Sequence, residues 1–109
     1  DARSHGRFTG KEPEPRSGLR SGHIPNSLNL PFLNLYDSET HLMKPDQELI
    51  ELFSRAGLKE NKTVVTSCGS GITACNLALA LHLIGRTDVA IYDGSWSEWG
   101  GRADTAVEK

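Results

Sequence analysis

Hydrophobic positions along the chain change period from one segment to the next, and each segment predicts an element. Leu28 and Leu30 alternate with polar neighbours between Ser27 and Pro31, the two-residue period of a short strand that the proline ends. From Pro45 to Ala56 the apolar residues Leu49, Ile50, Leu52 and Phe53 recur at helical spacing. Asp46 and Glu48 suit the positive end of that helix, and Gly57 supplies its stop. Thr63 to Ser67 is a β-branched run that predicts a strand, broken by Cys68-Gly69-Ser70-Gly71. Ile72 to Ile84 is then apolar nearly all round before Gly85, the pattern of a buried helix. Val89 to Tyr92 predicts a second short strand, followed by a short helix from Ser95 with Asp93 as its cap. Strands alternating with helices imply an α/β domain, an open, mainly parallel sheet flanked by helices.

The chain has 109 residues, enough for one core and too few for two. Its 12 basic and 14 acidic side chains leave a net charge of −2, so the overall field attracts neither nucleic acid nor an anionic membrane. The sequence contains no run of about 18 apolar residues, which excludes a spanning helix. Residues 1–23 are expected to form a long, ordered or semi-ordered loop with five Arg or Lys against three acids, a local excess of +2. Anion binding must therefore be local.

Chemistry concentrates in VVTSCGSGITAC, which places Cys68 where a strand hands over to a helix. Open α/β sheets bind ligands at such ends. Gly69 and Gly71 free the backbone so that consecutive N–H groups from Cys68 to Thr73 curl around one point, a nest that favours an anion. Together with the positive helix end, it lowers the thiol pKa below its ordinary value. Ser70 and Thr73 add hydroxyl donors. The competing reading of Cys68 is a small buried hydrophobe. That reading is the favoured one for Cys75, which is expected to pack in the core. Seven residues of helix would separate the two sulfurs by about 10.5 Å of rise, too far for a disulfide. The four histidines show no paired spacing with the cysteines, so neither a metal nor another cofactor is expected.

A cysteine in an anion-holding loop suits phosphoryl or sulfur transfer. Cysteine phosphatases place an arginine six residues after the nucleophile as a bidentate phosphate clamp; here that position is Ala74, and no Arg or Lys occurs from Cys68 to Gly85. A single bound sulfur is the better fit.

Four segments carry a resemblance: GHIPNSLNLP (Gly22 to Pro31), CGSGITAC (Cys68 to Cys75), YDGSWSEW (Tyr92 to Trp99) and GRFTGKEPEPR (Gly6 to Arg16). With these the chain resembles the C-terminal, catalytic domain of two-domain sulfurtransferases of the rhodanese superfamily, in the branch that uses 3-mercaptopyruvate. The resemblance implies that Cys68 is the nucleophile and carries a persulfide, that Ser70 takes part in catalysis, and that Arg7 and Arg16 hold the carboxylate and keto oxygen of the donor. It places Gly69, Gly71, Ile72 and Thr73 in the substrate-binding loop, makes His23 a structural residue of a turn, and makes Trp96 and Trp99 core or domain-contact aromatics. The neutral Gly69 and Ser70 favour a monoanionic keto acid over dianionic thiosulfate, which stays as an alternative donor beside a non-catalytic binding module. The resemblance further implies a thiol acceptor such as thioredoxin, a cytoplasmic or, in a eukaryote, mitochondrial location, and a preceding domain of the same fold, present elsewhere as a companion chain or lost by truncation. On that comparison most of the first strand is missing before Asp1, and a sheet edge is left exposed.

Overall fold

The computed structural model describes all residues, Asp1–Lys109. In chain order it holds α1 (His5–Phe8), a 3-10 turn at Phe32–Leu35, α2 (Asp46–Ala56), β1 (Val64–Thr66), α3 (Ala74–Leu83), β2 (Val89–Ile91) and α4 (Ser95–Trp99). β1 and β2 pair in parallel, with Val64 opposite Val89, Val65 opposite Ala90 and Thr66 opposite Ile91. The crossover between them is α3, which packs on both strands and on the 3-10 turn. Alternation of strand and helix thus gives the expected α/β arrangement.

α2 forms where its periodicity predicts. Leu49 and Phe53 turn into the core, Ile50 remains 44% exposed, and Gly57 closes the helix at φ +102 with its N–H on the Ser54 carbonyl. α3 differs from expectation in two ways. It starts at Ala74, because Ile72 and Thr73 are used in the turn that leads into it. It also buries one stripe only, Ala74, Leu77, Ala80 and Leu81, at i, i+3 and i+4 spacing, while Leu79 and Leu83 are half exposed. Cys75 lies on the outer side of that stripe and is exposed, not packed in the core. An apolar composition all round the helix hid which face the sheet covers.

The strand expected at Ser27–Pro31 does not form. The segment is extended, and its bonds run to the first two residues: Asp1 N–H₃⁺ to the Leu28 carbonyl, Leu30 N–H to the Asp1 carbonyl, and Phe32 N–H to the Ala2 carbonyl. Ala2 N–H in turn donates to the Ser67 carbonyl at 2.8 Å, so Asp1 and Ala2 lie between this segment and the end of β1. Two residues make too short a partner for a ladder.

Residues 1–23 form an ordered loop interrupted by the short α1. Ser4 Oγ caps α1 by accepting the Arg7 N–H, and Phe8 stacks on His23 with ring centroids 3.7 Å apart. His23 is buried, with Nδ1 on the Phe8 carbonyl and Nε2 on Glu108 Oε1, and its backbone exchanges two hydrogen bonds with Glu108. Its place is structural. At α4, Trp96 is buried and donates its indole N–H to the Arg20 carbonyl, as a core aromatic would. Asp93 does not cap α4. Gly94 holds the cap position with no side-chain bond, and Ser95, at φ +49, turns the chain there instead.

Candidate functional site at the β1–α3 turn

The chain leaves β1 through Ser67 and enters α3 at Ala74, and the turn between carries Cys68. Two sets of bonds hold it. On the outside, α4 grips the backbone: Ser95 Oγ accepts the Cys68 N–H at 3.0 Å, Trp96 N–H donates to the Cys68 carbonyl at 2.9 Å, and Ser97 gives both its N–H and its hydroxyl to the Gly69 carbonyl. On the inside, the Gly71 N–H donates to Cys68 Sγ at 2.9 Å. Burial pushes the Cys68 thiol pKa up, but the Thr73 hydroxyl and the N–H groups of Ala74, Gly71 and Ser70 together outweigh it and bring the thiol below its ordinary value. Thr73 stands at the N-cap of α3 without capping it, which leaves its hydroxyl to the sulfur. Within the expected nest, the Gly71 N–H is the one that makes a hydrogen bond to the sulfur. Cys68 N–H is not part of it, because Ser95 takes that donor.

Gly71 is required by a close approach to backbone, whereas the neighbour of Gly69 is the flexible end of Arg7. Gly71 sits at φ +98, and a Cβ there would lie 2.6 Å from the Asp93 carbonyl oxygen; one on Gly69 would lie 2.8 Å from Arg7 Nη2.

Over the turn lies a cleft of about 330 Å³, lined among others by Arg7, Arg16, Gly69, Ser70, Thr73 and Ser97. Arg16 donates to Ser97 Oγ at 2.5 Å, and Arg7 brings its guanidinium close to Gly69. Cys68 is 1% exposed and belongs to the core cluster with Ala2, Leu30 and Ala74, while its loop neighbours Gly69, Ser70 and Thr73 line the cleft. A larger groove of about 440 Å³ runs along β1 between Leu28 and Phe53. It contains none of these charged or loop residues and is apolar over half its lining, so we assign the chemistry to the smaller cleft.

The structure thus brings together Cys68, Gly69, Ser70, Gly71, Thr73, Arg7 and Arg16. Ile72 is the exception: its side chain is 74% exposed and lies outside the cleft, because the turn needs its backbone and points its Cβ to solvent. Sequence reasoning missed Arg3, Glu14, Ser95 and Ser97. Arg3 is 3% exposed, bonded to Asp1, Glu14 and the Gly22 carbonyl, and lies 4.7 Å from the Trp96 ring centroid. Burial pulls its pKa down despite the Glu14 carboxylate beside it. Ser95 and Ser97 reach the loop from 27 and 28 residues away in sequence, and for Arg3 and Glu14 nothing local marks burial.

Comparison with known proteins agrees with this arrangement. The rhodanese-like domain family matches residues 1–102. The chain is 50% identical over 108 residues to thiosulfate/3-mercaptopyruvate sulfurtransferase 1, mitochondrial, of Arabidopsis thaliana, covering 99% of this chain and 28% of that protein. It is 48% identical over 103 residues to 3-mercaptopyruvate sulfurtransferase of Homo sapiens, covering 94% of this chain and 34% of the relative. Among solved structures it superposes on the Tum1 protein from Saccharomyces cerevisiae with a TM-score of 0.86 at 38% identity, covering 99% of this chain and 38% of that one. The chain therefore spans about a third of the length of these longer relatives. A parallel α/β sheet with a cysteine loop at its strand end, matched over nearly every residue, leaves one conclusion: this chain belongs to the rhodanese-like domain family.

Proposed function

We propose that the domain transfers sulfur from 3-mercaptopyruvate, through a persulfide on Cys68, to a thiol or cyanide acceptor, with pyruvate as the other product. The observation that carries the reading is a buried sulfur that accepts the Gly71 N–H, its pKa drawn down by the loop donors, next to a cleft lined by Arg7 and Arg16. The Cys68 thiolate attacks the donor's sulfur. The donor's carbon–sulfur bond breaks with its electron pair going to carbon, giving the enolate of pyruvate, and the proton of the donor thiol ends on that carbon. Guanidinium groups suit this step because they bind a carboxylate in the ground state and an enolate oxygen as its charge develops. Ser70 lines the cleft, and we assign it the passing of the proton. The outer sulfur of the persulfide then goes to an attacking acceptor thiolate, and Cys68 leaves as thiolate, stabilised by the same amides.

A dithiol carrier of thioredoxin type is the acceptor we expect. The greater length of the relatives supports a preceding domain of the same fold that completes the cleft in the intact protein, in the same chain or as a companion. No helix of the chain is long and apolar enough to cross a membrane; of the two expected locations, the mitochondrial one fits the plant relative's name. That name also carries thiosulfate, which makes thiosulfate the second donor to test. Gly69 and Ser70 add no positive charge for a dianion, so mercaptopyruvate is expected to be used better.

Mass spectrometry under native conditions after incubation with 3-mercaptopyruvate tests the proposal. We expect a one-sulfur adduct confined to Cys68, absent from Cys68→Ser, and reduced in Arg16→Ala at low donor concentration without loss of fold. A folded chain that gains no sulfur on Cys68 would defeat the reading.

A further inference from the structure

We propose that Glu14 is a positioning residue for the sulfur donor: its carboxylate joins Arg7 to the buried Arg3 and so sets the Arg7 guanidinium close to Gly69. The inference rests on the reading of the cleft given above and adds a residue that reading does not use.

The side chain of Glu14 is 1% exposed although it belongs to a charged, proline-flanked stretch, and both its oxygens are engaged. Oε1 accepts from Arg7 Nη2 at 2.7 Å and Oε2 from Arg7 Nε at 3.2 Å, a fork-to-fork pair that defines the plane of the guanidinium. Oε2 also accepts from Arg3 Nη1 at 3.1 Å. Arg3 is the fixed end of this chain of charges. Its side chain is 1% exposed, and its remaining donors are held by the Asp1 carboxylate and the Gly22 carbonyl. Arg7, with 27% of its side chain exposed, is the end that faces the cleft.

The orientation has a chemical consequence. Glu14 occupies Nε and one N–H of Nη2, while Nη1 makes no bond within the chain, and Arg7 lines the cleft. Without the fork, a long side chain on a four-residue helix has several rotamers open to it, and the like charge of Arg3 pushes it outward into solvent. Alignment of the free guanidinium edge with a donor carboxylate then costs entropy at each binding event, which raises KM. With Arg7 assigned to the donor carboxylate, whose charge the step does not change, and Arg16 to the keto oxygen, the limiting rate on sulfur is untouched.

The test uses Glu14→Gln and Glu14→Asp in the 109-residue chain. Aspartate keeps the charge beside Arg3 and is one methylene too short to reach the Arg7 fork, so it decides the matter should the glutamine variant not fold. Measured are the KM and limiting rate of Cys68 persulfide formation from 3-mercaptopyruvate, and the rate of Cys68 alkylation by neutral iodoacetamide, which has no carboxylate for Arg7 to hold. We expect KM to rise about tenfold, the loss of one charged contact, with the limiting rate and the alkylation rate within twofold of the parent. In an Arg7→Gln background the same Glu14 changes should move KM by less than twofold. Unchanged KM in folded variants, or an effect that multiplies independently of Arg7, overturns the proposal while persulfide formation by the parent stands. A parent chain that takes no sulfur from 3-mercaptopyruvate overturns the reading of the cleft, and this inference with it.

Discussion

Replacing Gly71 by alanine asks whether the loop amides are what keep the Cys68 sulfur ionised. Gly71 sits at φ +98, where a side chain carries about 1–2 kcal/mol of backbone strain. The added Cβ would stand 2.6 Å from the Asp93 carbonyl oxygen, and backbone has no rotamer with which to yield. The turn must therefore move away from Asp93, and the amide that moves is the one donating to Cys68 Sγ at 2.9 Å. A hydrogen bond to a charged group contributes about 1.5–3 kcal/mol. At about 1.4 kcal/mol for each factor of ten, its loss lowers the thiolate fraction by roughly tenfold or more on the acid side of the titration. The assay is the pH profile of alkylation by iodoacetamide, in a Cys75→Ser background so that a single thiol is followed. We expect the profile to move to higher pH, and the rate at a fixed pH below the parent's midpoint to fall about tenfold. Folded Gly71→Ala protein with an unmoved profile would refute the idea that these amides hold the charge.

Other consequences follow from the same geometry. Ser95→Ala removes the acceptor of the Cys68 N–H and the donor to the Tyr92 carbonyl in a fully buried site; it should cost about 1–3 kcal/mol in urea unfolding, and a loss under half that would argue against the α4 grip. Cys75→Ser, at an exposed position on α3, should change stability by less than about 0.5 kcal/mol and leave persulfide formation intact, as a comparison of melting curves and adduct mass will decide. Because the folded-state pKa of Cys68 lies below its unfolded value, its ionisation adds stability that is complete above the ordinary thiol pKa and is lost as pH falls through the folded value. The difference in melting temperature between the parent and Cys68→Ser should accordingly grow in the parent's favour as pH rises towards 9.0, and a pH-independent difference would contradict it.

Much of the site could be read along the chain because it is local. The strand, the glycine turn and the helix lie in one continuous stretch, and a glycine at position 71 is demanded by backbone angle alone. α2 was equally legible, since its apolar stripe, acidic first turn and closing glycine agree. What was not legible depends on partners far away in sequence. Ser27 to Pro31 alternates like a strand, yet its hydrogen bonds go to two residues at the start of the chain, so a local period found no ladder to join. α3 is apolar on every side, and only the placement of β1, β2 and the 3-10 turn decides that Cys75 and Leu79 face outward.

The sequence by itself determined the alternation that makes an α/β domain and the nucleophile's seat at a strand end, because periodicity and glycine stereochemistry act over a few residues. Tertiary structure alone decided which charges matter. Arg3 and Glu14 look like members of a solvated basic segment until folding removes them from water; once buried, each must be satisfied by the other, and that mutual requirement is what carries an arginine from a distant loop to the rim of the cysteine turn.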